Sequence, residues 1–107
     1  MATAQPPTDI HEATAVDVAA AGAAAAAAAP LLAALSLAER AGLLRAAADT
    51  LDAHSAELVK LADAETSLGE ARLTGEVART TGQLRLLADQ AAAGAYLDLI
   101  ETPADPA

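Results

Sequence analysis

At 107 residues the chain can build one small domain or part of a larger one. Fifteen acidic residues against six Lys and Arg give a net charge of -9, which disfavours a nucleic-acid backbone or an anionic membrane surface as partner. Cysteine is absent, which excludes disulfides, thiolate metal sites and a cysteine nucleophile within these residues.

Alanine fills 34 positions and leucine 16, while Phe and Trp are missing and Tyr96 is the single aromatic residue. Such a chain forms helices easily and fills a core with difficulty. A fully covered Leu contributes roughly 1.5–3 kcal/mol, so a domain of this size is expected to be marginal on its own.

Residues 1–13, "MATAQPPTDIHEA", hold two prolines and no periodic apolar face, and read as a flexible N-terminal arm. A first helix is expected to start near Thr14 or Asp17, either of which can cap it, and to run through the alanines towards Pro30. It has almost no polar face, and such a helix is normally covered on several sides. No charge falls between Val18 and Ala38, a run of 21 residues and long enough to cross a bilayer. Most of these residues are Ala, Pro30 interrupts them, and four Leu arrive only after it, so no membrane span is expected. Without Lys or Arg upstream, neither a signal peptide nor a transit peptide fits, and a cytoplasmic location is expected.

"SLAER", Ser36 to Arg40, carries the pattern of a capping box, with Ser36 and Glu39 serving each other's backbone amides. After it Leu37, Ala41, Leu44, Ala48 and Leu51 form one apolar stripe at steps of four and three, with Arg45, Asp49 and Asp52 off it. Ser55 reads as a new cap for a short helix bearing Leu58, Leu61 and Ala62 and ending before Gly69. A last helix is predicted from Glu70 to about Ala93, with the stripe Leu73, Val77, Thr80, Leu84, Leu87 and Ala91. Along it Arg72 with Glu76 and Arg85 with Asp89 are spaced for weak surface pairing. Beyond Gly94, "AYLDLIET" alternates in the manner of a short strand before Pro103 and Pro106. A lone strand needs a partner, and none is visible.

His11 and His54 lack a Cys or a second ligand at metal spacing and read as exposed side chains. Asp63, Glu65 and Glu70 gather around a helix end, a pattern that usually forms a solvated face. Gly69, Gly75 and Gly82 do not make a strand-to-helix phosphate turn. Gly75 and Gly82 lie close to two turns apart and open the same side of the last helix. Each costs about 1 kcal/mol against Ala there, which is the expected signature of close packing against another backbone.

From Leu35 to Asp89 the sequence resembles the N-terminal helical segment of the aldehyde dehydrogenase superfamily. The resemblance rests on Leu35-Ser36 with Glu39-Arg40, on "AADTLDAHSAELVKLADAETSLGEA", and on Glu76 with Arg79. "EARLTGEVARTTGQLRLLAD" is similar to the NADP-preferring branch that oxidises 2,5-dioxopentanoate, or alpha-ketoglutaric semialdehyde. The match covers roughly residues 14–105. Relatives often carry Glu-Thr-Gly where this chain has Glu65-Thr66-Ser67, and aromatic residues where it has Ala29, Pro30, Leu31 and Leu32.

The resemblance implies a mainly α chain of about four helices plus a short C-terminal strand, the N-terminal fragment of an α/β aldehyde dehydrogenase fold. Its organisation is then an arm at 1–13, a helical segment at 14–95, and a strand and tail at 96–107 leading into a missing remainder. In that family a thiolate attacks the aldehyde, hydride passes to NADP or NAD, and the thioester is hydrolysed. The catalytic cysteine, general-base glutamate and cofactor-binding stretches lie downstream, so this oxidoreductase fragment is expected to be inactive and to bind neither cofactor nor metal itself. The expected partners are the missing remainder and further subunits, with no nucleic acid and no membrane. Arg79 and Gln83, one turn apart and off the apolar stripe, are candidates for the substrate entrance and an acidic aldehyde. The alternative reading is a freestanding helical protein-interaction module.

Overall fold

The structure, a computed structural model, describes Ile10 to Leu99 and Pro103. Four helices follow one another: α1 (Ala15–Ala33), α2 (Leu37–Ala53), α3 (Ser55–Thr66) and α4 (Glu70–Ala93), with a 3-10 turn at Ala95–Leu97. The first nine residues of the expected arm lie outside the described residues.

Local chemistry sets the helix ends. Thr14 caps α1, its hydroxyl accepting from the Asp17 amide at 3.2 Å while Asp17 accepts from the Thr14 amide at 2.8 Å. Ser36 and Glu39 repeat that reciprocal pair at the start of α2, at 3.2 and 2.8 Å. Gly94 closes α4 in the left-handed conformation, φ 69°, with its amide donating to the Gln90 carbonyl. A Cβ at Gly94 would lie 2.7 Å from Leu37 Cδ1, so the glycine also lets the start of α2 meet the end of α4.

Pro30 does not end α1. The helix runs one turn further to Ala33, and the Ala34 amide donates to the Pro30 carbonyl at 3.1 Å. Proline removes a donor to the carbonyl four residues earlier, and because α1 is exposed that carbonyl can turn to water. Arg40 then donates to the Leu32 and Ala33 carbonyls at 3.1 and 3.4 Å, closing the end of α1 from the first turn of α2. No residue of α1 is buried, so the cover expected for this helix is not supplied by the described residues.

α2 and α4 form the body of the fold. They run antiparallel: Leu37 lies against Gly94 at one end, and Leu51 shares a groove with Leu73 and Val77 at the other. Ala41, Ala48 and Ala88 have no exposed surface, and no larger side chain is fully enclosed among the described residues. The α2 stripe faces inward as expected, with Ala41 and Ala48 buried and Leu37, Leu44 and Leu51 half-buried.

On α4 the buried stripe is Leu73, Val77, Thr81, Leu84, Ala88 and Ala91, not the one passing through Thr80 and Leu87. Thr81 is 2 % exposed and Leu87 56 %. The correction has a physical origin: a seam between close helices accepts Thr81 and Ala88 and turns the bulkier Leu87 outwards. Thr80 instead bonds its hydroxyl to the Glu76 carbonyl at 2.8 Å on the exposed side.

α3 differs from expectation at its start. Ser55 is its first helical residue, while His54 stands at the cap position without a side-chain cap bond. His54 also ends α2, donating its amide to the Thr50 and Leu51 carbonyls, so the two helices share one hinge residue. α3 packs on the start of α4 and buries Val59, while Leu58 and Leu61 are exposed.

The strand expected beyond Gly94 is absent among the described residues. Ala95–Leu97 coils into a 3-10 turn and Asp98 takes φ 50°; Ile100, Glu101 and Thr102 lie outside the described residues. An extended segment has no ladder to join among the described residues, and the amides bond locally instead, Leu97 to Gly94 and Asp98 to Ala95.

The alanine seam yields the first prediction. Ala88→Leu inserts three carbon atoms where none fit and is expected to lower unfolding free energy by about 1–3 kcal/mol, read from urea titrations of helical circular dichroism. An unchanged midpoint would show that α2 and α4 are not held at alanine distance.

Candidate functional site

The outer side of α4 carries the candidate residues. At about 100° per residue, Gly75, Arg79, Gly82 and Leu86 fall within roughly 60° of one another, with Gln83 on their flank and the buried stripe opposite. All five are exposed. Nothing outside the helix's own backbone lies within 4 Å of a Cβ placed at Gly75 or Gly82. Both glycines therefore stand over open space among the described residues.

The flank of α4 away from Gln83 is clamped electrostatically to α2. Arg85 reaches Asp49 at 2.8 Å and Asp52 at 2.7 Å, and Arg45 reaches Asp89 at 2.9 Å. Arg85 and Asp89 thus pair across helices, not with each other as their spacing suggests. The signal was present in the sequence as the i, i+3 aspartates of α2, although only the antiparallel register brings them to Arg85. Arg72 and Glu76 do not pair with each other.

The clamp and the caps shift nearby acids downwards. The hydrogen bond from Arg85, at 2.7 Å, holds the Asp52 carboxyl below its usual range. Backbone and side-chain hydrogen bonds from Thr14 do the same for Asp17, and those from Ser36 for Glu39. Asp49 and Asp52 in turn hold the Arg85 guanidinium protonated more firmly than usual.

Among the remaining polar residues, Asp63 and His54 bond to nearby backbone. Asp63 accepts from the Gly69 amide at 2.8 Å, and Glu65 and Glu70 are exposed. The first turn of α4 is not arranged as a phosphate cradle: it follows a turn from α3 rather than a strand, and the Asp63 carboxylate already takes the Gly69 amide. His54 Nδ1 lies 2.9 Å from the Thr50 carbonyl, a contact that places the proton on Nδ1. His11 Nε2 lies 3.8 Å from Asp17 on the surface. No group of three His, Cys, Asp or Glu side chains able to hold a metal occurs among the described residues.

A shallow apolar groove of about 260 Å³ opens where α3 leaves α4, lined by Leu51, Leu58, Val59, Leu73 and Val77 with Glu76 and Thr80 at its rim. Its polar lining is Glu76 and the Thr80 hydroxyl, which is bonded to the Glu76 backbone carbonyl. α1 is the one described helix long and apolar enough to cross a membrane, by length and composition alone.

These features define a helical segment whose polar groups secure its own packing and whose outer α4 side is left open. The aldehyde dehydrogenase family model matches residues 1–104, and the chain belongs to that family of oxidoreductases. Over 71 residues, 66 % of this chain and 14 % of the relative, it is 48 % identical to alpha-ketoglutaric semialdehyde dehydrogenase 2 of Azospirillum brasilense. The family and branch indicated by the stretch from Leu35 to Asp89 are thus supported over most of the chain. The chain spans only a small fraction of that relative's length. No solved structure matches it.

Three lowered carboxyl groups make stability pH-dependent. Their contribution is complete above the usual values, 3.8 for Asp17 and Asp52 and 4.5 for Glu39, and is lost as pH falls through the folded values. Arg85→Gln is expected to lower the urea midpoint near neutral pH and to flatten its decline below about pH 4. Equal declines in the two proteins would remove the clamp from the stability of the fold.

Proposed function

We propose that this chain is the N-terminal helical part of an NAD(P)-dependent aldehyde dehydrogenase acting on a semialdehyde such as 2,5-dioxopentanoate. The observation that carries this reading is the 48 % identity to alpha-ketoglutaric semialdehyde dehydrogenase 2 across 71 residues. When bound in the complete enzyme, the nicotinamide cofactor supplies the hydride acceptor for oxidation of the aldehyde to the acid. These 107 residues include no cysteine to form the thiohemiacetal, so the chemistry belongs to residues beyond Ala107.

In this reading the helices dock onto that remainder, with Gly75 and Gly82 admitting another backbone against α4. Arg79 and Gln83 flank the substrate entrance, where the guanidinium attracts the carboxylate end of an acidic semialdehyde. The enzyme occupies the cytoplasm and assembles with further subunits.

Purified residues 1–107 are expected to give no aldehyde-dependent NADPH or NADH absorbance with 2,5-dioxopentanoate. DNA beyond Ala107, in the same or a shifted frame, is expected to encode a cysteine-containing remainder. Turnover by the 107 residues, or the lack of any such coding sequence, would overturn the proposal.

The glycines separate docking from mere tolerance. Gly82→Ala is expected to stabilise the isolated chain by about 0.5–1 kcal/mol, because a helical Ala outranks Gly where space is open. In the longer enzyme the same change is expected to lower the thermal midpoint. Stabilisation in both settings would count against docking through this face.

A third outcome concerns the entrance. In the longer enzyme, Arg79→Ala is expected to raise KM for 2,5-dioxopentanoate several-fold, about 1 kcal/mol of lost charge-assisted contact, with kcat and the KM for an uncharged aldehyde little changed. Equal effects on both aldehydes would assign Arg79 a structural part instead.

A further inference from the structure

We draw no further inference here: the strongest candidate, the apolar groove between α3 and α4 lined by Leu51, Leu58, Val59, Leu73 and Val77, carries nothing because nothing in the structure shows what covers it.

Discussion

The close approach of α2 and α4 at Ala41, Ala48 and Ala88 is the constraint on which the other positions depend. Alanine removes little apolar area from water on burial, so each contact in this seam contributes less than a leucine contact would. Its value is geometric, since short side chains let two helix surfaces meet without a filling layer between them. Once α2 and α4 lie antiparallel at that distance, Arg85 reaches Asp49 and Asp52, Arg45 reaches Asp89, and Gly94 turns beside Leu37. These ion pairs are solvent-exposed, and exposed pairs contribute little by themselves. They fix register more than they add stability.

The same seam explains which parts of the fold were legible in the sequence. Caps depend on three or four neighbouring residues, and so Ser36 with Glu39 and Gly94 could be read directly, while Thr14 and Asp17, legible only as alternative caps, join in one capping box. The α2 stripe was legible because Leu37, Leu44 and Leu51 mark one face unambiguously. On α4 the phase was lost after Val77, where Thr80 and Thr81, then Leu87 and Ala88, offer adjacent choices. Ranking by hydrophobic size selects Leu87, whereas a close seam selects Ala88, and only the partner helix decides between them. The ion pairs failed for a related reason: spacing within one helix is local information, and the register of two helices is not. Of the outer α4 side, the sequence shows which residues share a face and says nothing of what meets it.

Ser67 shows how a departure from the family pattern becomes a conformational statement. It ends α3 at φ 55°, ψ 31°, in the left-handed region where glycine carries no side-chain penalty. The family resemblance implies glycine at this position in Glu-Thr-Gly, and the left-handed geometry supplies a reason for it. In this chain the turn is supported by neighbours: Thr66 bonds back to the Ala62 carbonyl at 2.7 Å, and Asp63 holds the Gly69 amide. Glu65 and Glu70 leave this small network untouched. The acidic cluster at the helix end therefore divides into one carboxylate that builds the turn and two that face solvent.

α1 and the outer side of α4 present opposite problems. α1 forms because alanine is the best helix former and both ends are capped, so its existence needs no tertiary contact and says little about a partner. α4 carries Gly75 and Gly82 in exposed helix interior, at about 1 kcal/mol each against alanine. Among the described residues nothing outside the helix approaches either position to require the missing Cβ. In a chain whose seam is built of alanine, two such residues on one face form a local rule broken without local compensation, and breaks of that kind concentrate where another surface or a function imposes them. Under the proposed function, the remainder of a longer enzyme would be a surface large enough to impose it, the related dehydrogenase being about seven times longer than the stretch aligned. The physical case for docking therefore rests on the α4 glycines, whose cost the described residues leave unanswered, rather than on the more conspicuous alanine helix.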